Sequence, residues 1–143
     1  MKKKIKEVLN KLNSLRKNTF LNTMKIKFIF ISPKIETLIA KMPINKNILQ
    51  PFGYLHGGAS ITLAESVGCS LSFINLEKSN YNIFNIEISA NHIKCIKKGI
   101  LFAKAKILHK GKTLHFIHVN VYNEKKIISL CKMTNIILKN KIC

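Results

Sequence analysis

The chain contains no aspartate and no tryptophan, and Arg16 is its only arginine among 25 basic residues. Arginine's planar fork is the preferred partner for bases and phosphates in bidentate contacts. Its near absence argues against a dedicated reader of nucleic acid, even though only six acids leave a net charge of +19. Lysine, asparagine and isoleucine are over-used along the whole chain, which reads as the codon bias of an AT-rich genome. The charge still implies a positive field that attracts polyphosphorylated ligands.

Long apolar runs are missing too. None approaches the roughly 20 residues that cross a bilayer, so no membrane partner is expected. Met1-Lys2-Lys3-Lys4 resembles the start of a signal peptide, but Ile5 to Arg16 alternates lysine with apolar residues and supplies no apolar h-region. The reading is a short amphipathic helix on a cytoplasmic protein. Cys69, Cys95, Cys131 and Cys143 form no C-x-x-C pair, which argues against a zinc knuckle and a disulfide framework. They are expected as reduced, small core fillers. His115 and His118 sit three apart on a strand-like run and so face opposite sides, and no metal site is expected.

A length of 143 residues suits one domain, 1–143, with residues 1–22 as an N-terminal helical extension. Met24 to Ile31 and Ile35 to Met42 read as strands, separated by Ser32-Pro33-Lys34 and closed by Pro43. Ala64, Val67, Leu71 and Ile74 recur at helical spacing and predict a helix over 56–76 with one face in a core. Beyond a polar loop, Glu77 to Asn82, Phe84, Ile86, Ile88 and Ala90 alternate with polar residues, and the phase flips near Ile93, which suggests a bulge or bend. Ile100–Leu108, Thr113–Tyr122 and Lys126–Leu138 follow. Lys97-Lys98-Gly99, Lys110-Gly111-Lys112 and Asn123-Glu124-Lys125 read as hairpin turns, giving four strands in meander. An antiparallel sheet wrapped over one apolar helix is an α+β architecture.

Between Lys46 and Glu77 the one formal charge is Glu65. It falls mid-helix, remote from either end, with small or apolar helical neighbours and no lysine or arginine three or four residues away. Such a carboxylate is costly to bury. Two readings stay open: a solvent-facing acid, or an acid held in an active cleft. Just upstream, His56-Gly57-Gly58 puts small residues and unpaired backbone N–H groups at a helix start, where partial positive charge gathers. Gln50 adds an uncharged amide donor. Donors that can hold an oxyanion, with one carboxylate about two turns on, form a workable hydrolase constellation.

The run Gln50-Pro51-Phe52-Gly53-Tyr54-Leu55-His56-Gly57-Gly58-Ala59-Ser60, continued by Leu63-Ala64-Glu65-Ser66-Val67-Gly68, resembles the signature of the hotdog-fold acyl-CoA thioesterases. It is most similar to the branch acting on aromatic acyl groups, such as 4-hydroxybenzoyl-CoA and 1,4-dihydroxy-2-naphthoyl-CoA. The likeness continues through Glu87–His92 and Leu108–Gly111 and covers roughly residues 24–138. It implies a hotdog fold and hydrolysis of an acyl-CoA to free acid and coenzyme A, with no cofactor beyond the coenzyme A of the substrate. It also implies a homo-oligomer, a dimer of dimers, with sites between subunits. In that family Glu65 would be the nucleophile or general base. Gly57 and Gln50 would polarise the thioester carbonyl, and His56 would support them or the leaving thiolate. Cys69 stands where relatives place serine or threonine. Further substrate contacts would fall on Asn85, on His92, Ile93, Lys94 and Cys95, and on His109, Lys110, Gly111, Lys112, Thr113 and Leu114. Lys94 and Lys112 suit phosphates as point charges. Two other readings remain: a thioesterase for groups on a carrier protein, and a non-catalytic acyl-CoA binding module.

Overall fold

Strict apolar–polar alternation buries one face of a strand and leaves the other outside. In this protein that rule produces a single sheet closed over a helix. The computed structural model describes residues 2–76, 80–124 and 126–139. In chain order the elements are α1 (Lys2–Ser14), α2 (Phe20–Thr23), β1 (Lys27–Ile31), β2 (Thr37–Pro43), a 3-10 turn (Lys46–Ile48) and α3 (Gly57–Phe73), then β3 (Tyr81–His92), β4 (Ile100–Lys110), β5 (Leu114–Asn123) and β6 (Lys126–Lys139). The six strands form one antiparallel sheet in the order β1-β2-β4-β5-β6-β3.

The inward positions of the central strands, Leu38, Ala40, Met42, Leu101, Ala103, Ala105, Ile117, Val119 and Val121, are all at most 1% exposed. They meet Leu63, Ala64, Val67 and Leu71 of α3, which are equally closed to solvent. Each large side chain buried this way contributes about 1.5–3 kcal/mol. Three alanines on β2 and β4 leave room for the helix to lie close. Farther along, a β-carbon on Gly68 would fall 2.1 Å from Met133 Sδ, so the Met133 side chain packs directly over the helix backbone and would have to move for any larger residue. Outside the sheet edge, Asn13 of α1 donates to the Phe28 carbonyl at 2.9 Å and accepts from the Phe28 N–H at 3.1 Å. The amide thus stands in for a further strand beside β1.

The α+β hotdog architecture expected from the sequence is present, with differences in detail, among them that β1 starts at Lys27 and not at Met24. Helix α1 stops at Ser14, and residues 15–19 turn before α2. β2 starts at Thr37, because Ile35 takes a left-handed φ of 57° in the preceding turn; it runs through Pro43, which pairs with Ile100 at the strand's end. α3 spans Gly57–Phe73, shorter than 56–76. The four-strand meander is a three-strand meander, β4-β5-β6, with β3 beyond β6 on the far edge. Lys97-Lys98-Gly99 is therefore part of a crossover and no hairpin, since local turn residues cannot report which strand will be the partner. Finally, β3 carries a bulge between Asn85 and Glu87 that was not expected from the sequence. It turns Phe84 and Ile86 out to solvent while Ile88 and Ala90 face the core side. Near Ile93 the chain bends out of the sheet, the Ile93 and Lys94 N–H groups both donating to the Ile128 carbonyl. The loop residues 77–79, the turn residue Lys125 and Cys143 lie outside the described residues.

Candidate active site

The first turn of α3 is organised by its own cap. His56, extended at φ −67° and ψ 132°, accepts the Gly58 N–H on Nδ1 at 2.9 Å, and its carbonyl accepts the Ala59 N–H at 3.0 Å. An accepting Nδ1 places the proton of the neutral ring on Nε2. Two of the helix's unpaired N–H groups are thereby satisfied, which leaves the Gly57 N–H with no partner inside the helix. Gly57 is required by contact: a β-carbon there would lie 2.6 Å from His92 Nε2. The His92 ring rests on this glycine and is fixed from behind by Ser129 Oγ, 2.8 Å from Nδ1.

Gln50 is locked by its loop. Its backbone N–H donates to Tyr54 O at 2.7 Å, its carbonyl accepts from Gly53 N at 2.9 Å, and its side-chain Oε1 accepts from the Phe52 N–H. With Oε1 engaged, the amide NH2 remains as a donor. Gln50, Tyr54, Gly57, Ser60, His92 and Lys94 share a cleft of about 340 Å³, with Ile93 and Cys95 on the same wall. Lys97 stacks its ammonium 4.6 Å from the Tyr54 ring centre, which holds a cation on that wall. Cys95 is exposed, contrary to the expectation that the cysteines fill the core; Cys131 is buried and Cys69 half-buried. It ends up outside because the segment after β3 has left the sheet.

Glu65 is half-buried on the outer side of α3. It lies eight residues beyond Gly57, about 12 Å along the axis at 1.5 Å per residue. It does not line the cleft at Gly57, so one chain does not bring acid and donors face to face. One turn further, the Cys69 thiol is pushed up to about 12, first by burial and then by the Glu65 charge. It stays protonated and donates to Asn135 Oδ1 at 3.6 Å. Burial likewise raises Cys131 to about 11.

Asn85 reaches back from the β3 bulge to three acceptors, the carbonyls of Glu87 and Thr134 and Asn135 Oδ1, at 2.9–3.1 Å. The centre of this network is Asn135, fully buried, which also donates to Ser72 Oγ at 2.8 Å and to Gly68 O at 3.4 Å. Sequence reasoning missed Asn135, Ser72 and Ser129. The available signal was a polar residue at an inward position, between Met133 and Ile137.

His109 to Leu114 stand at the opposite end of α3. Lys110, Gly111 and Lys112 line a hollow of about 310 Å³ with Asn75, Leu76, Tyr81 and His115, and the His109 ring tilts against Phe116. Within one chain they are apart from His92–Cys95. His115 faces inward and His118 outward, as the spacing requires. The buried His115 ring is held below the ordinary histidine range by burial, then by Lys110 and His109, against an opposing hydrogen bond to Gly111.

Comparison with known proteins matches residues 52–128, more than half of the chain, to the family described as "Thioesterase superfamily". Thioesterase PA1618 of Pseudomonas aeruginosa is 38% identical over 107 residues, covering 75% of this chain and 72% of that one. The crystal structure of a mutant of it superposes with a TM-score of 0.87, over 92% of this chain and 94% of that one. The 1,4-dihydroxy-2-naphthoyl-CoA hydrolase of Escherichia coli is 34% identical over 122 residues, 85% of this chain and 88% of that one. A thioesterase structure from Haemophilus influenzae, 26% identical, reaches 0.86 over 92% and 91%. A sheet folded over a glycine-started helix, a matching family and homologous hydrolases agree: this chain belongs to the thioesterase superfamily, as a hotdog-fold thioester hydrolase.

Proposed function

We propose that the protein hydrolyses an acyl-CoA thioester with an aromatic acyl group, of the 1,4-dihydroxy-2-naphthoyl type used in menaquinone synthesis, in the cytoplasm. The Gly57 N–H and the Gln50 amide hold the thioester oxygen as it becomes an oxyanion, and Glu65 attacks the carbonyl or deprotonates the attacking water. Free acid and coenzyme A leave. Lys94, exposed beside the cleft, supplies a point charge for coenzyme A phosphate.

The observation that carries this reading is the separation along α3. Because Glu65 stands about 12 Å beyond Gly57 on the same rigid helix, the acid that completes one cleft comes from a second copy. β3 supports this arrangement: it is a 12-residue strand at the sheet's edge, with one side of its backbone unpaired. Such an edge is a template for another strand. Two copies joined there in antiparallel register lay their α3 helices side by side and in opposite directions, which sets the middle of one helix beside the start of the other. In a dimer of dimers, Lys112 and its neighbours serve a site on another chain.

An aromatic acyl group is supported by the hollow adjoining Glu65. Cys69, one turn beyond that acid, borders with Ser70 and, a further turn on, Phe73 a hollow of about 360 Å³ lined also by Leu12, Leu15 and Phe28. That is the lower range of small-ligand pockets and suits a flat, apolar group. A hydrolysis screen of aromatic and aliphatic acyl-CoA thioesters tests the reading. Higher kcat/KM on the aromatic set supports it. Preference for long aliphatic chains, or turnover only of carrier-protein thioesters, would reassign the substrate.

A further inference from the structure

Away from both ends of α3, four segments converge on a hollow of about 420 Å³. Arg16, Lys25, Lys27 and Lys41 form its walls with Asn22, above a floor of Pro43 and Ile100. Among the described residues no carboxylate lines it, and none of the residues assigned above to hydrolysis does.

This concentration of charge is costly to hold. Lys27 and Lys41 are direct cross-strand partners in β1 and β2, and like charges directly opposite destabilise a sheet. Lys25 reaches the hollow from a left-handed φ of 55°. Codon bias explains the number of lysines but not why three of them face one another here. Arg16 is fixed in place: Nε donates to Asn13 O at 3.2 Å, and a guanidinium N–H donates to Ile26 O. Of its five N–H groups these bonds use two, and the rest of a rigid fork remains. A rigid fork beside three mobile ammonium groups is the chemistry that holds several phosphate oxygens at once.

We propose that this hollow binds a ligand with clustered phosphate groups, either the pyrophosphate of a free nucleotide or a phosphorylated lipid headgroup. The bound anion would offset the Lys27–Lys41 repulsion, so ligand binding and strand pairing reinforce each other.

The test is calorimetric titration of the full chain with inorganic pyrophosphate at physiological ionic strength, and sedimentation with vesicles of phosphatidylcholine with or without phosphatidylinositol bisphosphate. Two double variants remove equal charge: Lys27→Gln with Lys41→Gln in the hollow, and Lys104→Gln with Lys132→Gln on the outer sheet face. Pyrophosphate binding weakened about tenfold or more by the first pair, and much less by the second, supports the site. Binding to acidic vesicles alone, with the same selectivity, supports it and identifies a lipid headgroup as the source. Equal weakening by both pairs means an adventitious ion only, drawn by overall charge, and overturns the proposal. So does an absence of binding to either probe. A melting scan guards against misfolding: the hollow variant should melt no lower than the parent, since a repulsion has been removed.

Discussion

At its start α3 meets solvent with two glycines, a histidine cap and an open polar cleft; farther along, the same helix meets β6 through Gly68, Ser72 and buried Asn135. The first region leaves donors without a partner among the described residues, at Gly57 and on the Gln50 amide. In the second, every hydrogen bond of Asn135 and Asn85 is closed inside the protein. Unpaired donors favour binding of an oxyanion, whereas closed networks favour one fixed arrangement of helix and sheet. Glu65 lies between the two regions, and its role depends on which of them a second copy brings to it.

Substitutions should separate these regions by the quantity they change. The largest effect belongs to Glu65→Gln, expected to lower kcat for thioester hydrolysis by about 10²–10⁴-fold with little change in melting temperature. Next is Gln50→Ala, which removes one oxyanion donor and should cost about 10²–10³-fold in kcat. In the closed region the readout shifts to stability. Asn135→Leu takes from Ser72 and Cys69 their Asn135 partner and from Asn85 one of three acceptors, and should cost about 1–3 kcal/mol in chemical denaturation. His56→Ala removes a helix cap and should cost about 1 kcal/mol in the same assay. The smallest perturbation is chemical labelling at pH 8. Cys95 should react with iodoacetamide in the native state, while Cys69 and Cys131, raised to about 12 and about 11, remain protonated and unlabelled until the protein unfolds. Rapid labelling of Cys69 would mean that its packing against Asn135 is open.

Much of this was legible in the sequence because its physical cause is local. The α3 stripe at Ala64, Val67 and Leu71 predicted that helix and its buried face, and the apolar runs between turn residues predicted strands β4 to β6. The glycine-rich start of α3 was readable from His56-Gly57-Gly58, but not that the His56 ring caps it. What stayed hidden depends on partners distant in sequence. The place of β3 beside β6 is decided by a crossover, and the bulge at Asn85 is fixed by Asn135, 50 residues away. The distance between Glu65 and the cleft was implicit in an eight-residue spacing, since a helix cannot fold back to join its own middle to its start. For the same reason, the shared site follows from helix geometry more directly than from any motif.

Mixing two inactive variants tests that shared site most directly. Glu65→Gln chains and Gln50→Ala chains are unfolded, combined in equal amounts and refolded together, and thioester hydrolysis is compared with each variant refolded alone. If each site takes its acid from one copy and its donors from another, mixed dimers regain one intact site. About a quarter of parental activity should then return, given random pairing. Mixed oligomers that form, as shown by mass spectrometry, yet stay as inactive as their parents would contradict the account.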